Sequence, residues 1–370
     1  MPIASAVRRC VVRLAENFYI GRATHHAVQP LHDAGSVRQH RRVIEYRALI
    51  PLVAWLVAAP ALASPDCPRR ADAARSLATI ESVMATGRFV AYHPTSLVLA
   101  NGAWTTADPA SMRDDLRLLR SRFDGLITYG AGRGADRIAD VAAELDYRAV
   151  ILGVWDPADR DELDGALAAA ARHPDLVVAL ALGNERVFAK TMTFADVAAA
   201  IERVRSRAPR LALTSSEPFH LYLEPAAQPA IAASDLMLVN VHPVFQPWFA
   251  TEPDTTAAQF VVNVVADLAS HACGPILVKE TGVPTAPAES GYTPQRQASF
   301  YAALRARFAP SATRAFAYFA AFDAPWRVDD ANPVPGVHPE EAHWGLYDAQ
   351  RRPKPAALAL APLAGAGPPH

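Results

Sequence analysis

The sequence predicts an α/β protein of the (β/α)8 TIM-barrel class, and three observations favour this fold. Short apolar runs alternate with amphipathic stretches, and eight such units follow one another over about 300 residues. Acidic and aromatic side chains collect at one end of the apolar runs. No Gly-x-Gly-x-x-Gly follows the first run, whereas a dinucleotide-binding open sheet would place one there. An open doubly wound sheet is the alternative fold.

The elements follow in a regular order. A helix is expected over residues 71–86, before the first strand. The eight strands are predicted at 89–93, 125–129, 148–155, 176–182, 210–215, 235–241, 275–279 and 314–319. Helices are predicted between them at 111–123, 135–145, 161–172, 193–204, 226–233, 255–271 and 293–308. Thr193 and Thr293 are expected to cap their helices, and Asp161 complements the dipole at the start of another.

The first 63 residues are predicted to lie outside this fold. Three arginines between positions 41 and 47 precede an apolar run, 48–63, that ends in Ala-Leu-Ala. This pattern is typical of a secretory signal peptide, so we expect cleavage after Ala63 and export to the periplasm or the medium. The run is short for a membrane span, and an uncleaved anchor is the alternative. Residues 1–42 make the signal unusually long, which suggests either translation from near Val43 or a disordered arm. Residues 64–370 then form one catalytic domain.

The net charge and the cysteines bear on which binding partners and which disulfide the sequence predicts. A formal net charge of −1 gives no reason to expect a nucleic acid or an anionic membrane as partner. We expect a monomer with no stable membrane partner. Cys67 and Cys273 are the two cysteines of the exported chain. They could form a disulfide between the N-terminal arm and the lower face of the barrel, or remain two free thiols.

The residues after the predicted strands suggest a chemistry. In a parallel barrel the strand ends form the active site. Read in order, they are His93, Tyr129, Trp155 and Asp156, Asn184 and Glu185, Ser215, Ser216 and Glu217, His242, Glu280, and then Phe322, Asp323 and Trp326. Paired carboxylates perform acid/base and nucleophilic work on acetals, and flat aromatic faces stack on sugar rings. No cofactor is expected. No metal is expected either, because a metal-dependent barrel hydrolase would carry His-x-His on the first strand, where His93 stands alone.

Two short motifs at the strand ends resemble those of a known enzyme family. Gly183-Asn184-Glu185 after strand four and Glu280-Thr281-Gly282 after strand seven resemble glycoside hydrolase family 17, the family of β-1,3-glucanases and related glucanosyltransferases. The resemblance spans roughly 87–357. It includes Val239-Asn-Val-His-Pro243, 321–326 and 341–347. Two positions depart from the family pattern, since Val283 stands where Trp is frequent and His242 where plant members have Tyr.

The resemblance implies a retaining double displacement by two glutamates. Glu280 would be the nucleophile and Glu185 the acid/base, with the carboxyl groups about 5–5.5 Å apart. Asn184 would donate to the sugar 2-hydroxyl. Tyr129 and His242 would orient Glu280 or the substrate. The remaining candidates for substrate contact are Asp156, Glu217, Asp323 and Trp326, where the three carboxylates could instead pair with barrel arginines.

The resemblance implies a β-1,3-glucan polysaccharide or oligosaccharide as substrate and hydrolysis as the reaction. Transglycosylation, in which a glucan hydroxyl replaces water as acceptor, is the first alternative. A non-catalytic glucan-binding barrel is the second, although the presence of both carboxylates argues against it.

Overall fold

The computed structural model describes residues 70–329 and 336–363. Eight parallel strands form a closed barrel in chain order, with the last strand paired to the first. They are β1 (Phe89–Ala91), β2 (Gly125–Ile127), β3 (Ala149–Val154), β4 (Val177–Asn184), β5 (Ala212–Pro218), β6 (Met237–Asn240), β7 (Ile276–Glu280) and β8 (Arg314–Tyr318). The (β/α)8 fold class predicted from the sequence is confirmed.

Helices precede and connect these strands. They are α1 (Ala74–Thr86), α2 (Pro109–Arg120), α3 (Ile138–Glu144), α4 (Arg160–Arg172), α5 (Phe194–Arg207), α6 (Phe219–Tyr222), α7 (Gln228–Ala233), α8 (Asp254–Leu268), α9 (Pro294–Arg307) and α10 (Pro355–Leu358). Short 3-10 segments occur at Ala71–Ala73, Ala135–Arg137, Pro225–Ala227, Pro243–Phe245, Ala288–Ser290, Pro325–Val328 and Pro339–His343. A small hairpin, Leu99–Ala100 paired with Ala103–Trp104, follows β1.

The predicted helix caps explain where several helices begin. The Thr193 side chain accepts a hydrogen bond from the backbone N–H of Asp196, and the Asp196 carboxylate accepts one from the backbone N–H of Thr193, which makes a capping box at α5. Thr293 accepts from the N–H of Arg296 at the start of α9. At α4 the cap is Asp159, with Asp161 in the first turn, where a negative charge is stabilised by the helix dipole.

Two apolar layers hold the barrel together. One layer fills the interior and includes Leu77, Ile80, Val83 and Met84 of α1 together with inward-facing strand residues. Helix α1 contacts β3, β4, β5 and β8, so it covers the end of the barrel opposite the strand C-termini. The other layer lies between the strands and the surrounding helices. Because the lower end is covered, the opening that remains is at the strand C-termini.

Some predictions concern residues outside the described ranges. The signal segment 1–63, its cleavage after Ala63 and the domain boundary that follows all lie there, as does Cys67. Cys273 is disulfide-bonded, and its pairing with Cys67 stays a prediction. Between residues 70 and 363, the described part contains no helix long and apolar enough to cross a membrane.

Candidate active site

The two glutamates singled out in the sequence meet at the open end of the barrel. Glu185 follows the last residue of β4, and Glu280 is the last residue of β7. Asn240 at the end of β6 connects them. Its amide Nδ2 donates to Glu185 Oε1 at 2.8 Å, while its backbone is aligned with Glu280 in the sheet. Ser216 Oγ donates to Asn240 Oδ1 at 3.0 Å and so fixes the orientation of that amide.

An irregular turn directs the end of β4 towards this site. The register of β4 against β5 shifts between Ala181 and Asn184, as a β-bulge does. Gly183 has φ +86, and a Cβ there would lie 2.9 Å from the Arg186 side chain. Glu185 itself has φ 54, in the left-handed region that non-glycine residues rarely adopt. Its N–H donates to Ser216 O at 2.8 Å, which helps hold this unusual conformation in place.

The motif after β7 is held by close packing. A Cβ at Gly282 would lie 2.8 Å from both Phe319 O and the Tyr301 hydroxyl, so no larger residue fits without a shift. The Tyr301 hydroxyl lies 2.9 Å from Thr281 O and 3.0 Å from the N–H of Phe319, which donates to it. One buried tyrosine therefore joins the segment that follows Glu280 to the segment that follows β8.

Positive groups surround Glu280. The Lys279 ammonium lies 3.3 Å from Glu280 Oε1, and His242 Nε2 lies 3.4 Å from Oε2. Burial alone would raise the pKa of Glu280, but Lys279, His242 and Arg327 outweigh that effect and lower the pKa to about 2. Glu280 is therefore ionised near neutral pH, as a nucleophile must be.

Glu185 has the opposite electrostatic environment. Burial raises its pKa, and the negative charge of Glu280 raises it further, while the hydrogen bond from Asn240 opposes both. The two carboxyl groups are therefore driven towards different protonation states, one neutral and one ionised. Such a divergence assigns the roles of acid and base in glycosidases.

Tyr129 and His242 both lie beside Glu280, as expected. Burial, followed by the charge of Glu280, raises the pKa of Tyr129 well above its ordinary value, so the phenol stays protonated. The His242 ring contacts the rings of Phe245, Phe319 and Trp344 at centroid distances of 5.1–5.5 Å. Trp344 is 2% exposed and belongs to the core, so it supports His242 from below.

Trp326 lines a recess at the same end of the barrel as the two glutamates. The recess has a volume of about 410 Å³ and lies between the segments that follow β1 and β8. His93 and Trp326 both line it, with ring centroids 5.0 Å apart, and Trp104 of the hairpin contacts Trp326 edge-on at 4.7 Å. The next residue, Arg327, forms an ion pair with Glu341 at 2.8 Å and is electrostatically coupled to both glutamates. The loop that carries Trp326 therefore also supplies a positive charge to the two glutamates.

Three carboxylates that are candidates for substrate contact, Glu217, Asp323 and Asp156, have polar partners within the protein. Glu217 is fully buried, and its two oxygens accept the backbone N–H groups of Val187 and Phe188 at 2.9 and 3.1 Å. Burial raises the pKa of Glu217 to about 7. It therefore supports the loop that follows Glu185 rather than facing the cleft.

Asp323 and Asp156 also have protein partners. Asp323 is largely buried, binds Lys354 Nζ at 2.6 Å and accepts the N–H of Gly345 at 2.9 Å, so it anchors the segment that folds back after β8. Asp156 is partly exposed, accepts the N–H of Ala158 at 2.9 Å and lies 3.6 Å from Arg186. Asp156 thus lies near an arginine, whereas Asp323 pairs with a lysine and also lines the recess that contains Trp326. Contact of these carboxylates with substrate stays a prediction.

Four residues of the site were assigned no role from the sequence: Lys279, Asn240, Ser216 and Arg327. Ser216 stands among the strand-end residues and Asn240 lies in the 239–243 motif, so both had a signal. Lys279 had one as well, because a lysine that ends an otherwise apolar strand needs a partner when it is buried. In the described residues there is no group of three or more His, Cys, Asp and Glu side chains able to hold a metal ion.

Comparisons with solved structures agree with this fold. A β-1,3-glucanosyltransferase of Rhizomucor miehei, solved as an active-site mutant with laminaritriose, has a TM-score of 0.54 at 20% identity, covering 73% of this chain and 96% of that one. An endo-laminarinase from Formosa also has a TM-score of 0.54, at 19% identity, covering 71% of this chain and 83% of that one.

Comparisons of sequence identify the family. A glucan 1,3-β-glucosidase of Arthroderma benhamiae is 25% identical over 262 residues, which is 67% of this chain and 84% of that protein. The family model of the BtgE/BtgC glycoside hydrolase domain matches residues 90–345. This range includes both glutamates and all eight barrel strands apart from Phe89, the first residue of β1. The chain therefore belongs to the BtgE/BtgC glycoside hydrolase family, and its resemblance to glycoside hydrolase family 17 is confirmed.

Proposed function

We propose that the protein is a retaining glycoside hydrolase that cleaves β-1,3-glucan, with Glu280 as nucleophile and Glu185 as acid/base. The observation that carries this proposal is the opposite electrostatic environment of the two glutamates, which favours an ionised Glu280 and a protonated Glu185. The β-1,3-glucan substrate is supported by the glucosidase and laminarinase among the relatives.

The reaction would proceed in two steps. Glu280 attacks the anomeric carbon and forms a glycosyl ester, while Glu185 donates its proton to the departing glycosidic oxygen. Glu185, now ionised, then takes a proton from water, which attacks the same carbon and releases Glu280. Asn184, one residue before Glu185, would donate to the 2-hydroxyl of the sugar that reacts. The Trp326 recess, with its aromatic lining, would bind a further part of the glucan.

Transglycosylation is the second candidate, because a relative of the same fold is a glucanosyltransferase. In that reaction a glucan hydroxyl takes the place of water in the second step, and Glu185 deprotonates it in the same way. The chemistry of the two glutamates is shared, so the acceptor alone separates the two functions.

The products of one incubation distinguish these functions. Purified protein incubated with laminarihexaose should yield shorter oligosaccharides, detected by mass spectrometry, if hydrolysis dominates. Products longer than the hexaose would instead show transfer to a second glucan. An unchanged hexaose, under conditions where the protein remains folded, would contradict both and favour a binding protein. Cellohexaose, with β-1,4 bonds, is the matched control, and we expect it to remain intact.

We also propose export through the N-terminal segment, on the basis of the basic residues, the apolar run 48–63 and the Ala-Leu-Ala that ends it. N-terminal sequencing of protein recovered outside the cytoplasm should begin at Ser64. A mature protein that keeps the apolar run would contradict cleavage and favour the anchor. That the protein is a monomer without a nucleic-acid or membrane partner stays a prediction.

A further inference from the structure

Lys279 is a buried cation inside the candidate active site. Its side chain is 1% exposed, although lysine is among the residues least often buried. Nζ donates to Asn184 Oδ1 at 2.6 Å, lies 3.3 Å from Glu280 Oε1, and lies 4.1 Å from the centroid of the Tyr129 ring. These contacts join the strand that carries the nucleophile to the residue that precedes the acid/base.

The backbone is shaped to bring this side chain there. The register of β6 against β7 shifts at this point: Val239 is aligned with Val278, but Asn240 is aligned with Glu280. Lys279 is the residue skipped by the shift, as in a β-bulge. The facing irregularity in β4, between Ala181 and Asn184, directs Asn184 towards it. The contact between Lys279 and Asn184 therefore depends on two register shifts, one at β7 and one at β4.

The contact fixes the orientation of the Asn184 amide. A protonated lysine can only donate hydrogen bonds, so the amide atom that faces it must be the oxygen. The Asn184 NH2 group must then point away from Lys279. Without the ammonium, the amide could rotate by half a turn at little cost and present its oxygen where the NH2 group had been.

The ammonium also has a charge role. Burial of a cation is costly unless it is paired, and here the ionised Glu280 is the compensating negative group. Burial lowers the pKa of Lys279 below its ordinary value, and the charge of Glu280 opposes that shift. The charged and titratable groups around Glu280 come from five elements or their following loops: Tyr129, Glu185, His242, Lys279 and Arg327.

We propose that Lys279 is a positioning residue that orients the Asn184 NH2 group towards the 2-hydroxyl of the reacting sugar and supplies the counter-charge of Glu280. This inference rests on the proposed function. It assigns to Lys279 the orientation that Asn184 needs to recognise a glucosyl unit. Lys279 does not touch the sugar in this role; it acts through Asn184 and through Glu280.

The test compares two substrates that differ by one hydroxyl. The substrates are 4-nitrophenyl β-laminaribioside and its analogue that lacks the 2-hydroxyl on the sugar bonded to nitrophenol. In the unaltered protein the first should react faster. In Lys279→Met, which keeps the length of the side chain but not its charge, kcat/KM for the first substrate should fall by about 10²-fold, since small misplacements of catalytic groups cost this much. The preference for the 2-hydroxyl should shrink towards the value in Asn184→Ala.

The pH dependence gives a second readout. Because Lys279 helps to lower the pKa of Glu280, the acidic limb of kcat/KM should move to higher pH in Lys279→Met, by about one to three pH units. The double variant Lys279→Met/Asn184→Ala should lose no more 2-hydroxyl preference than Asn184→Ala alone, because the two residues act on the same contact.

Lys354→Met is the matched control. Lys354 is also a largely buried lysine bonded to a carboxylate, Asp323, and it contacts neither glutamate in the structure. Its loss should reduce stability while the 2-hydroxyl preference and the acidic limb stay in place. Lys279→Arg keeps a cation and should retain most of the preference if Lys279→Met does not fold.

A folded Lys279→Met with unchanged 2-hydroxyl preference and an unmoved acidic limb would overturn the inference. So would a loss of the 2-hydroxyl preference in Lys354→Met equal to that in Lys279→Met, because the effect would then follow from general destabilisation. If the unaltered protein cleaves no β-laminaribioside, the proposed function itself fails, which is a separate outcome.

Discussion

Glu280→Ala should lower kcat on laminarin by at least about 10³-fold, because it removes the carboxylate that forms the glycosyl ester. The carboxylate of Glu280 is held ionised by Lys279, His242 and Arg327, and none of these three can replace it as a carbon nucleophile. Release of reducing sugar from laminarin measures the loss. A thermal unfolding curve shows whether the variant remains folded.

Stereochemistry separates a lost nucleophile from a generally damaged site. In Glu280→Ala the space left by the carboxylate lies on the face from which Glu280 attacks. Azide added to this variant with an aryl β-glucoside should enter there and give the inverted α-glycosyl azide, identified by NMR. Near-native activity of a folded Glu280→Ala on laminarin would remove Glu280 from its assigned role. Lys354→Met serves again as a control, and it should form no α-glycosyl azide, because Glu280 still occupies that face.

The barrel fold and its two glutamates could be predicted from the sequence for a physical reason. Strands of a parallel barrel are buried on both faces and so read as apolar runs, and such runs make Glu185 and Glu280 stand out where they end. Because all eight strands point the same way, residues after different runs meet at one end of the barrel. The apolar runs along the chain therefore predicted that Glu185 and Glu280, far apart in sequence, lie at the same end of the barrel.

The finer arrangement depends on register, which the pattern does not encode. Glu217 follows its strand much as Glu185 does, yet the loop after Glu185 folds over it and takes both of its oxygens. Lys279 reaches Asn184 only because the register shifts between β6 and β7. A bulge depends on how two strands pair, so neither strand's sequence alone reveals it.

Glu185→Ala should slow different substrates to different extents. The loss of rate should be largest where the leaving group most needs a proton. A sugar hydroxyl is a poor leaving group and requires a proton, so kcat on laminarin should fall by about 10²- to 10⁴-fold, the usual contribution of a general acid or base. A 2,4-dinitrophenyl β-glucoside departs without a proton, so its first step should be nearly unaffected. The glycosyl ester would then accumulate, because no base remains to activate water, and a burst of dinitrophenol should precede a slow steady state.

Azide and pH complete the assignment of Glu185. Azide needs no deprotonation, so it should accelerate the second step and yield the β-glycosyl azide, the product of retention and the opposite of that from Glu280→Ala. The pKa of Glu185 is raised by burial and by the charge of Glu280, so the protonated acid persists to a higher pH than an ordinary glutamate would allow. The rate on laminarin should fall as the pH rises through that pKa, and Glu185→Ala should lose this basic limb. Equal slowing of laminarin and the dinitrophenyl substrate, with no azide product, would mean that Glu185 holds the site together without transferring a proton.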